Sequence, residues 1–293
     1  MLHSFLLGSL RAEPISDWRP TTWDGESAWE ASSSDWTAIV SEGRARLVSL
    51  APVGSGENLL FAPPKASISW GGHRCWLGPQ SEWKAIWPPP RDWEASAAAL
   101  VKAGGPILTV ILPHTDTNYP PLTRSYEWRA GVLRCRLSWQ DARRHAIQIL
   151  QMPQWTTIHV HRAVQPDLPL GYALLPISGR TTLETRQEMA SGAGRVEGDE
   201  VTLWHANVTE KLAFARQELT AKLGPYQLKM RRGDDDGTTA SAPDLGLLTQ
   251  IYLGDWQNPF VELEQLSAFG SDKLASSVIL IEPSHPSRSA PVP

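Results

Sequence analysis

The stretch Val132-Leu133-Arg134-Cys135-Arg136-Leu137-Ser138-Trp139 has the most regular alternation of apolar and polar residues in the chain. Successive side chains of a strand point to opposite faces, so one face carries only the apolar residues Leu133, Cys135, Leu137 and Trp139. One apolar and one polar face are typical of an antiparallel sheet that covers a core with one side. The segment therefore predicts a half-buried antiparallel strand.

Short runs of similar character recur along the chain, with Pro, Gly or other turn residues between them. They predict strands at 46–50, 58–61, 66–70, 107–112, 146–150, 155–161, 172–177, 200–204, 226–230, 247–253, 260–266 and 277–281. So many short strands indicate an all-β protein built on a large antiparallel β-sandwich.

Two windows depart from the strand pattern. Residues 92–104 have a helix-forming composition, an acidic start and a glycine at the end, which predicts a short helix. Residues 210–223 are helical by composition but could equally alternate on a strand, and the sequence leaves both interpretations open. The sandwich is therefore expected to carry one or two short helices.

The chain divides into three expected segments. Residues 1–38 form an irregular, tryptophan-rich lead-in, 39–282 form a single β-sandwich domain, and 283–293 form a Pro/Ser-rich tail. One domain is preferred because predicted strands lie on both sides of the polar loop at 233–239.

Composition and charge exclude several functional classes. The 293 residues are 41% hydrophobic and 20% charged, with a formal net charge of −4. The longest basic run is two arginines, which argues against nucleic-acid or anionic-membrane partners. The chain has no long apolar window and no basic region before its apolar N-terminus, so we expect a cytoplasmic protein. The two cysteines, Cys75 and Cys135, are expected to be free and buried.

The first candidate site is Trp70-Gly71-Gly72-His73-Arg74-Cys75-Trp76-Leu77-Gly78-Pro79. Paired glycines let the backbone approach a ligand closely, and the forked guanidinium of Arg74 can bind two sugar hydroxyls or a carboxylate. Trp76 could offer a flat face to a sugar ring. The alternative is a tight turn whose arginine pairs with an acid and whose tryptophan fills the core.

The second candidate site is the segment from Trp155 to Arg162. On a strand, Trp155, His159 and His161 would share one face. Imidazole titrates near neutral pH, which suits a general acid or a metal ligand, although a polar strand face explains the pattern equally well. A cupin-like metal site is a further alternative, but the glutamate that follows the cupin His-x-His motif is absent here.

The third candidate site is Pro259-Phe260-Val261-Glu262-Leu263-Glu264-Gln265-Leu266, which places Glu262 and Glu264 on one strand face. Two carboxylates so near each other in an apolar stretch raise each other's pKa unless a cation or a hydrogen-bond donor stabilises their charge. An exposed strand face is the alternative explanation.

Together with the turn Pro243-Asp244-Leu245-Gly246, these three motifs resemble the galactose mutarotase-like superfamily, and more narrowly a branch of bacterial domains within it. The resemblance covers roughly residues 40–282 and implies one very large antiparallel β-sandwich. The placement of tryptophans agrees with a sugar ligand, because an indole face suits a sugar ring. The chain has 14 tryptophans against 5 tyrosines and 5 phenylalanines, and Trp70, Trp76 and Trp155 lie inside the motifs.

The resemblance also implies an activity. In aldose 1-epimerases a late glutamate removes the proton of the anomeric hydroxyl and a histidine protonates the ring oxygen, so the sugar opens and closes again without a cofactor or metal. By motif, Glu264 is the expected base and Arg74 the expected substrate-binding arginine. His159 is the nearest candidate for the acid, although the His-Pro-aromatic context of the epimerases is absent.

The expected partner is a small sugar or sugar derivative, and the remaining candidates for binding it are His73, Trp76, Trp155, His161 and Glu262. A carbohydrate-binding sandwich without turnover is the main alternative, because the same fold serves several functions. The sequence leaves the oligomeric state open.

Overall fold

The structure is a computed structural model, and it describes residues 17–63, 71–84, 88–175, 189, 192–206, 209–233, 243, 246–269 and 275–284. These residues contain one single-turn α-helix, α1 (Arg91–Glu94), and one 3-10 turn (Gln80–Glu82). The strands are β1 (Arg19–Trp23), β2 (Glu26–Ser32), β3 (Trp36–Ser41), β4 (Arg46–Pro52), β5 (His73–Gly78), β6 (Leu100–Gly104), β7 (Ile107–Ile111), β8 (Leu122–Arg129), β9 (Val132–Trp139), β10 (His145–Pro153), β11 (Thr157–His161), β12 (Ala173–Leu174), β13 (Gly194–Glu197), β14 (Glu200–Trp204), β15 (Glu210–Phe214), β16 (Glu218–Leu223), β17 (Tyr226–Arg232), β18 (Thr249–Leu253), β19 (Phe260–Leu266) and β20 (Ala275–Ser284).

The strands form three antiparallel sheets, which confirms the predicted all-β sandwich. A four-stranded sheet has the order β1-β2-β3-β4, and a six-stranded sheet has the order β12-β15-β18-β19-β10-β5. The third sheet has ten strands in the order β13-β14-β11-β16-β17-β20-β9-β8-β7-β6. Two of its central strands, β8 and β9, pair over their whole lengths, from Leu122 opposite Trp139 to Arg129 opposite Val132.

The six-stranded and ten-stranded sheets pack face to face over the main core. In β9 the residues Leu133, Cys135, Leu137 and Trp139 are buried as predicted. Two polar contacts cross the layer: His73 Nδ1 lies 3.4 Å from the Tyr126 hydroxyl, and Gln148 Nε2 donates to Ser277 Oγ at 2.9 Å. Each large apolar side chain buried here contributes roughly 1.5–3 kcal/mol. Cys75 and Cys135 are free and buried, as expected.

The four-stranded sheet corrects the expectation of an irregular lead-in, because residues 19–32 form β1 and β2. Their connection, Asp24-Gly25, has φ angles of 51° and 75°, the positive values that a tight two-residue hairpin turn requires. Trp18 is buried and donates from Nε1 to the Pro106 carbonyl at 3.0 Å. Trp23, Trp29 and Trp36 lie in β1, β2 and β3, and Trp18 lies directly before β1. The division into three segments remains a prediction, and 1–16 and 285–293 lie outside the described residues.

The helix expected at 92–104 is also corrected. The helix α1 ends at Glu94, and Leu100–Gly104 is instead the edge strand β6, paired with β7 across a turn at Gly105. Backbone pairing with β7 here prevails over the helix propensity of the alanines, which is worth only a fraction of a kcal/mol per residue. Residues 210–223, for which the sequence allowed a helix or a strand, contain two strands, β15 and β16.

Two predicted strands differ from the structure, and one cannot be compared. Residues 58–61 form a loop, because the Asn58 side chain accepts from Leu50 N and Leu60 N and donates to the Val48 carbonyl. Of the strand expected at 172–177, the structure contains only β12, and residues 176–177 lie outside the described residues. The strand expected at 66–70 also lies outside the described residues. In the part of the chain that the structure covers, no helix is long and apolar enough to cross a membrane.

Candidate functional site

Polar side chains gather on the outer face of the six-stranded sheet. Residues directly opposite each other in an antiparallel sheet point to the same side. One row across the sheet runs from Arg74 through Ile149 and Glu264 to Gln250. The next row runs from Gln151 through Glu262 and Tyr252 to Lys211. We call the set of Arg74, Trp76, Gln151, Lys211, Gln250, Tyr252, Glu262 and Glu264 the polar face.

The alternation within β19 explains why both glutamates belong to the polar face. Val261 and Leu263 turn inward and are fully buried in the core between the sheets. Glu262 and Glu264 must therefore turn outward, because neighbouring residues in a strand face opposite ways. The sequence prediction that these two carboxylates share a face thus agrees with the structure.

Arg74 lies between two carboxylates on the polar face. Its Nε donates to Glu94 Oε1 at 2.9 Å, and its Nη1 donates to Glu262 Oε1 at 3.1 Å. The guanidinium also lies 4.8 Å from the ring centroid of Trp76, which is itself buried and packs edge-on to Trp83. Arg74 is 1% exposed, so it holds protein carboxylates in place beneath the surface of the site.

Glu94 reaches this cluster from α1. Its Oε1 also accepts from Arg46 Nη1 at 3.1 Å, and Arg46 Nη2 donates to the Glu94 backbone carbonyl. Burial lowers the pKa of Arg46, and the nearby Glu94 carboxylate opposes that shift. Among the residues that the structure covers, Glu94 Oε2 is buried without a hydrogen-bond partner. The chain Arg46–Glu94–Arg74–Glu262 therefore links the four-stranded sheet, α1 and the polar face.

Glu262 and Glu264 have different neighbours. Glu262 Oε1 accepts from Gln151 Nε2 at 2.6 Å as well as from Arg74. Burial raises the pKa of Glu262 and Glu264 adds to the rise, whereas Arg74, Gln151 and Lys211 oppose it. Glu264 Oε2 instead accepts from Lys211 Nζ at 2.9 Å, which gives Glu264 a cation of its own.

The polar face opens toward β15 and β18. The side chains of Lys211 and Glu262 are 22% and 12% exposed, whereas that of Glu264 is 3% exposed. Burial raises the pKa of the adjacent Tyr252 to about 12, with the Glu262 carboxylate as the next cause, so its hydroxyl stays protonated at neutral pH. A ligand that reaches the two carboxylates would therefore meet Lys211 and Tyr252 first.

His73 does not join the polar face. It alternates with Arg74 in β5 and points into the core, where Nε2 lies 3.1 Å from Gln148 Oε1. Burial, reinforced by the charge of Arg124, lowers the pKa of His73 to about 3, so the ring is neutral. Gly72 likewise serves packing, because a Cβ there would collide with the Leu47 carbonyl. The expectation that His73 and the glycines approach a ligand is corrected by their position in the core.

The two histidines of β11 lie on the opposite side of the sandwich. Their neighbours Ile158 and Val160 face the core from the ten-stranded sheet, so His159 and His161 face away from it. His159 Nδ1 lies 2.6 Å from Glu200 Oε1, and His161 Nδ1 lies 3.5 Å from Asp199 Oδ2. The predicted acid is therefore not brought to Glu264.

Trp155 lies in the turn after β10, outside the strands that carry the polar face, and is 69% exposed. Across the described ranges, no group of three or more His, Cys, Asp or Glu side chains is arranged to hold a metal ion.

Sequence reasoning missed Glu94, Gln151 and Lys211. Gln151 carried a readable signal, because an amide inside the apolar run of β10 needs a buried partner. The sequence could not assign a face to Lys211, because the pattern of residues 210–223 fits a helix and a strand equally well. Glu94 lay inside the predicted helix, whose early end at this residue the sequence did not indicate.

The fold is that of the galactose mutarotase-like proteins. A galactose mutarotase-like protein from Lactobacillus casei is 11% identical, covers 88% of this chain and 100% of its own, and has a TM-score of 0.58. The galactose 1-epimerase from Lactobacillus acidophilus is 11% identical, covers 92% of this chain and 99% of its own, and has a TM-score of 0.54. No protein-family model and no curated protein sequence matches the chain.

Proposed function

We propose that the protein acts on a sugar or sugar derivative as an aldose 1-epimerase-type enzyme, with Glu264 as the base. The main support is the position of Glu264 on the polar face, with Lys211 Nζ 2.9 Å away and Arg74 and Glu262 beside it. The shared fold with a galactose 1-epimerase supports a sugar as the ligand. At such low identity, that likeness concerns the fold alone.

The reaction requires proton transfers that these side chains can carry out. The Glu264 carboxylate takes the proton of the anomeric hydroxyl, a general acid gives a proton to the ring oxygen as its bond to the anomeric carbon breaks, and an open-chain aldehyde forms. Rotation of the aldehyde and ring closure then give the other anomer. The Lys211 ammonium donates to Glu264 Oε2 at 2.9 Å and so holds the carboxylate in position.

The test is polarimetry with freshly dissolved α-glucose, α-galactose and a panel of other sugars. The protein should accelerate anomerisation, and Glu264→Gln should lower kcat by roughly 10²–10⁴-fold because it removes the base. Glu218→Gln is the matched control, since Glu218 forms a surface pair with Lys229 at 3.4 Å. The control variant should keep the wild-type rate.

The second candidate is a carbohydrate-binding sandwich without turnover. It is favoured by the deep burial of Arg74 and by the absence of His159 from the polar face. Sugar-dependent quenching of tryptophan fluorescence without anomerisation would support this function in place of the enzyme. If neither turnover nor binding is found across the panel, a sugar ligand is excluded for both.

A further inference from the structure

The position of Glu262 beside Glu264 bears on the proton donor of the proposed reaction. The two residues are two positions apart on the same face of β19, which separates their Cα atoms by roughly 6.6–6.8 Å. The anomeric hydroxyl and the ring oxygen are bonded to one carbon. Two carboxyl groups at this spacing can reach the two oxygens with hydrogen bonds of about 2.7 Å each.

An acid and a base need different surroundings, and the neighbours of Glu262 and Glu264 differ. Glu264 has the ammonium of Lys211 on β15. Glu262 and Glu94 of α1 both pair with the guanidinium of Arg74 on β5. Glu262 also accepts from Gln151 on β10. It lies beside Tyr252 on β18 and beside Glu264 on its own strand. Burial raises the pKa of Glu262, Arg74 opposes the rise and the Glu264 carboxylate adds to it, so the balance favours the protonated form of Glu262.

The described histidines offer no better placed donor. His159 and His161 lie on the far side of the sandwich, and His73 points into the core. His114 and His205 hold the carbonyls of Tyr119 and Asp255 with Nε2 at 2.8 Å and 3.1 Å. His145 shares the outer side of β10, but it is four residues from Ile149, the residue opposite Glu264, which is about 13 Å along the strand. Within β19, Glu262 is the titratable residue that shares a face with Glu264.

We infer that Glu262, in place of a histidine, is the general acid that protonates the ring oxygen of the sugar. This inference rests on the proposed epimerase function. As Glu264 removes the anomeric proton, the electron pair of the O–H bond forms the carbonyl. The bond between the anomeric carbon and the ring oxygen breaks, its electron pair stays on the ring oxygen, and the ring oxygen takes the proton of Glu262. Glu264 ends protonated and Glu262 ionised, and ring closure on the other face of the aldehyde reverses both transfers.

The variant that tests this inference is Glu262→Gln, which keeps the size of the side chain and an oxygen to accept from Arg74 and Gln151. The wild-type rate should fall at alkaline pH, because a general acid works only while protonated. Glu262→Gln should lower kcat by roughly 10²–10⁴-fold with little change in KM, and the remaining activity should lack the alkaline fall. Glu262→Asp, which restores a carboxyl group, should regain part of the rate and the alkaline fall.

The comparison variants are His159→Gln, His145→Gln and His205→Gln, each of which should keep the wild-type pH profile. If Glu262→Gln keeps the wild-type rate and alkaline fall, or if one histidine variant loses that fall, Glu262 is not the acid. If the wild-type protein anomerises no sugar, the proposed function fails together with this inference. An active wild type with an unaffected Glu262→Gln variant overturns the inference alone.

A second readout does not depend on activity. Difference infrared spectroscopy of the wild-type protein against Glu262→Gln should show the carbonyl band of a protonated carboxyl group at neutral pH. This band should disappear as the pH is raised. A band that is already absent at neutral pH would contradict the inference.

Discussion

At the residue scale, Glu94 is the centre of the charge network around the polar face. One carboxylate oxygen accepts from both Arg46 and Arg74, and all three side chains are nearly inaccessible to water. Buried charges are costly unless paired, and removing one partner leaves the others uncompensated. Glu94 therefore holds two arginines in the protein interior and sets the position of the guanidinium that meets Glu262.

We expect Glu94→Gln to lower the free energy of unfolding by about 3–5 kcal/mol, because it removes the carboxylate that pairs with both buried guanidinium groups. Urea unfolding followed by circular dichroism measures the change. Glu218→Gln, in an exposed pair with Lys229, should cost less than about 1 kcal/mol. A loss from Glu94→Gln no larger than that of the control would show that the network adds little to stability.

At the element scale, the β1–β2 hairpin depends on the backbone conformation of its two turn residues. Gly25 has a φ of 75°, a region that side chains with a Cβ enter only at a cost, and nothing lies within 4 Å of a Cβ added there. A substitution at Gly25 therefore changes backbone strain without a collision. The turn is thus a clean test of how far the four-stranded sheet depends on its first hairpin.

We expect Gly25→Ala to destabilise the protein by about 1–2 kcal/mol, the cost of a left-handed conformation for an L-residue. Gly104→Ala is the matched control, because a Cβ there also meets nothing within 4 Å and Gly104 has no positive φ. Thermal unfolding should show a lower Tm for Gly25→Ala alone. Equal shifts in the two variants would contradict the role assigned to the turn.

The elements also show why some features were predictable from sequence and others were not. Period-two alternation located β9 and β19, because in these strands the residues on the two faces are chemically distinct. The β1–β2 hairpin was missed although Asp24-Gly25 is a strong hairpin signal. The end of α1 at Glu94 could not be predicted, since the carbonyls of Trp93 and Glu94 accept from Arg124 and Arg46, which are distant in sequence.

The same reasoning applies to the site. The sequence singled out Arg74, Glu262 and Glu264, which lie together on the polar face, because charged residues in apolar strands stand out and alternation assigns their faces. It misplaced His159, because alternation within β11 gives the face of a residue but not the sheet that the strand joins. Assignment of β11 to the ten-stranded sheet depends on its pairing with β14 and β16, which is a long-range property of the fold.

At the scale of the whole molecule, the four-stranded sheet is tied to both larger sheets. Arg46 of β4 binds Glu94, which in turn binds Arg74 of the six-stranded sheet. The Tyr126 hydroxyl of the ten-stranded sheet accepts from Leu47 N at 3.3 Å. These buried contacts join elements that are far apart in sequence, so opening one sheet would expose charged groups and apolar surface belonging to the others.

We therefore predict that the described sheets unfold as a single cooperative unit, as expected for one domain. Native-state hydrogen exchange measures this directly: the amides of β2 and β3 should exchange with the same free energy and denaturant dependence as those of β9 and β19. Glu94→Gln should lower all of these free energies together, because its partners join the sheets. Earlier exchange confined to β2 and β3 would mean that the four-stranded sheet is a separate unit, and the single-domain prediction would then be wrong.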